Sequence, residues 1–176
     1  TPEGDLIAFV ARGEIFVTSD EYQTTKQITH TPEAESYPTF SPDGRSLFFC
    51  SAEAVEPMPA KFREAKYSLC RVDFNPEDCS FGTKVDTLYN ARVEGRSVSF
   101  PRISPDGRFL VFALSDYGNF SIWHKDADLY ILDLETREYW SLDKANSPYP
   151  ESYHAWSSNG KWILFASRRD DTNYSR

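Results

Sequence analysis

The sequence predicts an all-β protein, a β-propeller fragment of about three to four four-stranded blades. Three observations predict it. A Ser-Pro-Asp-Gly corner recurs along the chain, an apolar run follows each corner, and further short strand-like segments fill out each period.

The corners come first. Ser41-Pro42-Asp43-Gly44 is repeated as Ser104-Pro105-Asp106-Gly107. A third copy, Ser157-Ser158-Asn159-Gly160, keeps the Ser, an Asx residue and the Gly, and Thr1-Pro2-Glu3-Gly4 is a degenerate fourth. Pro presets the turn, the Asx side chain bonds its own backbone, and Gly takes the positive φ that leads into the next strand. The flanks repeat as well. Ser36-Tyr37-Pro38-Thr39-Phe40 leads into the second corner, Ser99-Phe100-Pro101-Arg102-Ile103 into the third and Ser152-Tyr153-His154-Ala155-Trp156 into the last. Strand, tight turn, strand is a hairpin.

The runs after the corners are Leu6–Val10, Ser46–Phe49, Phe109–Phe112 and Trp162–Phe165. They are apolar at nearly every position, as expected of strands covered on both faces by neighbouring sheets. Two more strands complete a period: Glu14–Thr18 with Lys26–Thr29, and Asp128–Leu134 with Glu138–Leu142 across the short link Glu135-Thr136-Arg137. Corner-to-corner spacings of 40, 63 and 53 residues place loop insertions at Ala52–Lys66 and Asp116–Asp126. Residues 60–66 allow at most two turns of helix. The chain is expected to be one domain, 1–176, with blade turns near 1–4, 41–44, 104–107 and 157–160.

Composition agrees. Aromatics make up 15% of the 176 residues, and flat rings pack well on pleated faces. A net charge of −8 argues against a nucleic-acid partner. No apolar run is long enough for a membrane span, and the chain carries no signal peptide. Cys50 reads as a small buried side chain, while Cys70 and Cys79 could pair across a turn. Their spacing suggests no metal site.

The pattern Tyr37-Pro38-x-x-Ser41-Pro42-Asp43-Gly44-x-x-Leu47-x-Phe49-x-Ser51, with a strand such as Leu129–Leu134, resembles the TolB-like propeller repeat. The resemblance covers essentially the whole chain. The opening Gly4–Val17 also resembles the propeller repeats of tricorn-type proteases. Gly118–Lys125 and Glu151–Gly160 resemble envelope-associated TolB-like proteins of Bacteroidetes. The resemblance implies an exported, non-catalytic propeller in the bacterial periplasm or cell envelope. It marks fold more strongly than function.

The chain starts at one blade's first turn and stops after another blade's second strand, and it begins without Met. We therefore expect either a piece of a larger propeller or two copies assembled into a ring. Its apolar end faces would favour self-association or closure by further sequence.

Six residues are candidates for binding a partner. Tyr37, Tyr153 and Arg102 lie in the flanks of the corners. Trp123 and His124, with Lys125, form a polar-aromatic patch on the Asp116–Asp126 insertion, where propeller loops carry binding residues. His154 stands where the other flanks have Pro38 and Pro101, so a channel-facing ligand contact competes there with ordinary packing. A calcium cluster from Asp43, Asp106 and Asn159 is outweighed by the needs of the turns themselves. The acids Glu33, Glu35, Glu53 and Glu56 read as solvated, and Arg168-Arg169-Asp170-Asp171 as a surface charge cluster.

No nucleophile elbow, phosphate loop or dinucleotide fingerprint is present, and the three His residues leave little scope for a catalytic triad. No catalytic residue, metal or cofactor is assigned. The leading expectation is a binding module for a protein or peptide, or for a glycan, with Tyr37, Trp123 and Tyr153 as aromatic anchors. The alternatives are the substrate-gating propeller of a tricorn-like or prolyl-oligopeptidase-like peptidase, and a metal-dependent polysaccharide lyase propeller.

Overall fold

The computed structural model describes residues 1–19, 25–55 and 61–169. Among these residues thirteen strands form four antiparallel sheets. The first holds β1 (Leu6–Ala11), β2 (Glu14–Ser19) and β3 (Thr25–Gln27). The second is a complete blade of β4 (Glu33–Phe40), β5 (Ser46–Glu53), β6 (Ser68–Asn75) and β7 (Ser80–Tyr89). The third has β8 (Ser97–Ile103), β9 (Phe109–Ser115), β10 (Asp128–Asp133) and β11 (Tyr139–Ser141). The fourth pairs β12 (Glu151–Trp156) with β13 (Ile163–Ser167). In every sheet strands adjacent in sequence are neighbours, so each blade is an up-and-down meander.

The corners fall between the first and second strands of their blades. Ser104 Oγ donates to Asp106 Oδ1 and accepts from Phe109 N–H at 2.9 Å, while Asp106 Oδ1 accepts from Arg108 N–H at 3.1 Å. Ser41 with Asp43 and Ser157 with Asn159 repeat the arrangement. The Asx oxygens are thus used by their own turns. Each Gly also has the proline of the preceding blade's corner beside it: Pro2 Cδ lies 3.5 Å from where a Cβ on Gly44 would sit, Pro42 Cδ 3.9 Å from that of Gly107, and Pro105 Cδ 3.6 Å from that of Gly160. At φ of +67° to +76° these three glycines also need the left-handed region. The corners therefore stack blade upon blade.

Burial on both faces holds for the two complete blades. On β5, Leu47 and Phe49 pack with Ile15, Cys70 and Val72, while Phe48 and Cys50 pack with Val98, Leu110 and Phe112 of the third sheet. The same expectation fails for the outer sheets. Ile7 and Phe9 on β1 are exposed, as are Trp162 and, at 77%, Leu164 on β13, because each of these sheets has a neighbour on one side only.

Several local expectations are corrected. Cys70 and Cys79 do not pair; all three cysteines are free. Cys70 lies opposite Thr87 near the start of β6, whereas Cys79 is in the hairpin beyond Asn75, about 15 Å further along the strand. Glu35 is not solvated but 4% exposed, taking hydrogen bonds from Thr29 and Thr31 hydroxyls at 2.9 and 2.6 Å. Glu151, four residues after Ser147 as Glu35 is after Thr31, is buried in the same way on the Ser147 and Ser167 hydroxyls and Arg169. The helix allowed at 60–66 is a single 3-10 turn at Phe62–Glu64, and an unforeseen helical turn spans Ala91–Glu94. Pro57, Pro59, Glu56, Asp170 and Asp171 lie outside the described residues.

Candidate functional site

Strands β4, β8 and β12, each leading into a corner, carry the same irregularity. Between the pairs Ser36↔Cys50 and Thr39↔Phe48, Tyr37 and Pro38 oppose the single residue Phe49. Phe100-Pro101 and Tyr153-His154 form the same two-against-one bulge on β8 and β12. The first bulge residue is left-handed in all three blades, with φ of 53° at Tyr37, 54° at Phe100 and 48° at Tyr153. The second position needs no ladder N–H, which is why proline suits it twice.

These bulges line up three rings. Tyr37 and Phe100 have centroids 4.3 Å apart, and Phe100 and Tyr153 4.8 Å. The 116–126 insertion extends the row, since Phe120 lies 6.4 Å from Tyr153 and 6.5 Å from Trp123. The Tyr37 hydroxyl donates to the Asn119 carbonyl, tying the loop to the row. Burial pushes the Tyr37 phenol well above its ordinary pKa, so it stays a neutral donor. The outer members face solvent, Tyr153 at 48% exposure and Trp123 at 72%.

The insertion is held in place from the other side. Gly118 N–H donates to the Ala65 carbonyl at 2.7 Å, and Ser97 Oγ donates to the Gly118 carbonyl. Gly118 has φ +69°, and a Cβ there would meet the Phe62 ring at 2.8 Å, so only glycine fits. The two insertions therefore brace each other at the blade ends opposite the stacked corners.

At the inner end of the row lies a cleft of about 380 Å³. Strand β1 supplies Ala8, Phe9 and Val10, β4 supplies Ser36, Tyr37 and Pro38, and Arg102 and Asn119 close it. The structure thus brings Tyr37 and Arg102 together at the cleft, and Tyr153 and Trp123 together on the exposed row.

The two histidines are elsewhere. His154 fills the slot that Pro101 fills in its own blade. It is 3% exposed, with Nε2 hydrogen-bonded to the Val111 carbonyl at 3.0 Å, and burial lowers its pKa to about 4. His124 is buried against Tyr117 at 4.3 Å, its pKa lowered by burial and partly restored by Asp126 and Asp116. The sequence patch is thereby split, with Trp123 and Lys125 outward and His124 inward. Phe100, Phe120 and Asn119 were not singled out from sequence. Phe100 was visible as the aromatic of its repeat, but Phe120 and Asn119 sit in an insertion with no repeat to mark them. Among the described residues, no three His, Cys, Asp or Glu side chains are grouped to hold a metal.

Comparison with known proteins decides the fold. TolB from Acinetobacter baumannii superposes with a TM-score of 0.61 at 17% identity, over 95% of this chain and 37% of that one. The fold is a TolB-like β-propeller. Puromycin hydrolase superposes with a TM-score of 0.66 at 16% identity over 97% of this chain and 28% of that one. An oligogalacturonate lyase in complex with manganese gives 0.57 at 13% identity over 93% and 42%. This TolB-like chain spans less than half the length of each of them. No protein-family model and no curated protein sequence matches it. No helix among the described residues is long and apolar enough to cross a membrane.

Proposed function

We propose that the chain is a non-catalytic binding module of the bacterial envelope that holds a protein or peptide segment against its aromatic row. One observation carries the reading: five rings from three blades and a braced loop form a continuous row whose outer members are exposed on a rigid scaffold. Large aromatics held in fixed positions supply contact area at small entropic cost, the usual make-up of binding hot spots. Selection of a random peptide library on the purified chain tests it. Peptides should be enriched on the wild type and lost on a Trp123→Ser/Tyr153→Ser variant. No enrichment, or enrichment indifferent to those two changes, would overturn the reading.

A second reading has one observation in its favour. Puromycin hydrolase shares the fold over 97% of this chain, yet the match covers only 28% of that longer protein. On this reading the propeller feeds substrate to a hydrolase domain carried on the same polypeptide, and the sequence of the complete gene tests it.

A further inference from the structure

The outermost strand of the second blade differs from its neighbours. β3 and β11 are three residues long, whereas β7 runs for ten, or about 33 Å. Short outer strands are a usual way to blunt a sheet edge, and β7 does not use it. It is the fourth strand of a complete blade with a sheet packed on either face, so its outer edge belongs to the perimeter of the propeller. Among the described residues no strand pairs with that edge.

The edge offers backbone groups in a regular stretch. Gly82, Thr83 and Lys84 bulge opposite Asp73, but Val85, Asp86 and Thr87 pair in step with Val72, Arg71 and Cys70. Phe74 on β6 donates its N–H to the Arg45 carbonyl at 2.8 Å, on the β5 side. Backbone direction alternates along an antiparallel strand, so Val72 and Cys70 also turn toward β5. Their partners Val85 and Thr87 therefore turn N–H and C=O outward, away from β6. Val85 is 52% exposed, and Thr83, Lys84 and Thr87 are exposed with it.

The segment Thr83-Lys84-Val85-Asp86-Thr87 is its own complement. A two-fold axis at Val85 sets Val85 against Val85 of a second copy, Lys84 against Asp86 and Thr83 against Thr87, each a favourable cross-strand pair. Moving the axis by one residue sets Lys84 on Lys84 or Asp86 on Asp86, so the charges fix the register. A lone lysine on an edge ordinarily repels a second strand, and in this register it meets a carboxylate instead. Lys84 enters none of the ion pairs among the described residues. Asp86 accepts one hydrogen bond from Arg71 and two from Arg137, which leaves one of its roughly four acceptor sites for an ammonium.

We infer that β7 is a docking edge for a second copy of this chain, joined strand to strand across a two-fold axis at Val85. Each Val85 gives its N–H and C=O to the other, the two side chains cover one another, and two Lys84–Asp86 pairs hold the register. The edge lies on an outermost strand and the aromatic row on innermost ones, so the inference goes beyond the binding role proposed above and does not depend on it.

Sedimentation equilibrium of the 176-residue chain from micromolar to millimolar concentration tests it, and should show a reversible dimer. Lys84→Glu sets carboxylate on carboxylate twice and should weaken the dimer by about tenfold or more. Val85→Pro removes the outward N–H without touching the β6–β7 ladder and should weaken it at least as much. In a Cys79→Ser chain, Val85→Cys should oxidise to a covalent dimer, because Cα atoms in such a pair are about 5.5 Å apart. Val93→Cys, equally exposed but on the helical turn, should not. Circular dichroism confirms that each variant is folded.

A chain that stays monomeric at about 1 mM overturns the inference. So does a dimer that Lys84→Glu and Val85→Pro leave intact; if Leu164→Glu breaks that dimer, the end sheets hold it instead. A Val85→Cys chain that cross-links no faster than Val93→Cys overturns it as well, and this comparison stands even if Val85→Pro fails to fold. In each case peptides selected on Trp123 and Tyr153 would keep the binding role, so the two failures are distinguishable.

Discussion

The hydroxyl of Ser104 does two things at once. It donates to Asp106 and accepts the first N–H of β9, and it is buried while doing so. Removing it strands a backbone donor. Ser104→Ala should therefore cost about 1–3 kcal/mol in urea denaturation. The same bonds at Ser157 are open to water, and Ser157→Ala should cost well under half as much. Equal losses at the two sites would mean that the corner acts through local geometry rather than through a buried donor.

His154 supplies a second test at this scale. Its folded pKa is about 4 against an ordinary 6.5, because the buried ring resists charging. As pH falls below 6.5 the unfolded chain takes up a proton that the folded chain refuses until about pH 4. Stability should thus fall with a slope of about 1.4 kcal/mol per pH unit across that window. Glu35 works the other way, since burial raises its pKa and folding then favours its proton. The measure is accordingly the difference between the wild type and His154→Gln. The variant should lose this slope between pH 6.5 and 4, and parallel curves would refute a neutral buried ring.

At the scale of the element, β4, β8 and β12 depart from simple alternation in the same place. Tyr37, Phe100 and Tyr153 occupy the left-handed region, where a Cβ is strained and aromatics are rare. In an ordinary strand Gly is worse than Ala by roughly 0.5–1 kcal/mol. At these bulges the order should invert. Tyr153→Gly should be more stable than Tyr153→Ala by about 1 kcal/mol in thermal or urea unfolding, because both lose the same ring contacts and only Ala keeps the strain.

The corners, the flanking aromatics and the apolar runs were legible in sequence because each follows from a local rule: Asx and Gly for the turn, β-formers for the strand. The bulge was not, since nothing local favours Tyr or Phe at positive φ; tertiary packing of the three rings decides it. Nor was the burial of Glu35 and Glu151. Glu-Ser-Tyr occurs twice, but a carboxylate reads as solvated until the hydroxyls of Thr31 and Ser147 are seen beneath it. Of the site, Tyr37, Arg102, Trp123 and Tyr153 were found because they sit in repeats or stand out by chemistry. Asn119 and Phe120 were missed because insertions carry no period.

Across the whole molecule, stability should follow the stacking of the sheets. The interface between the two complete blades holds the largest cluster, with Phe48, Cys50, Leu69, Val98, Leu110 and Phe112 all buried. The next interface, between the first two sheets, is smaller, with Ile15, Leu47, Phe49, Cys70 and Val72. Ile7 and Phe9 on β1, Leu164 on β13 and Trp162 just before it are exposed. Local opening costs least where a sheet is packed on one side only. Amide hydrogen exchange on the dilute chain should therefore be slowest in β5, β6, β9 and β10 and clearly faster in β1, β2 and β13. Raising the protein concentration separates two causes. If the gradient persists, each molecule carries open end sheets. If protection of β1 and β13 rises toward that of the central blades, a second copy covers the apolar ends, and Leu164→Glu should restore the gradient. Uniform protection at every concentration would contradict the one-sided packing of the end sheets.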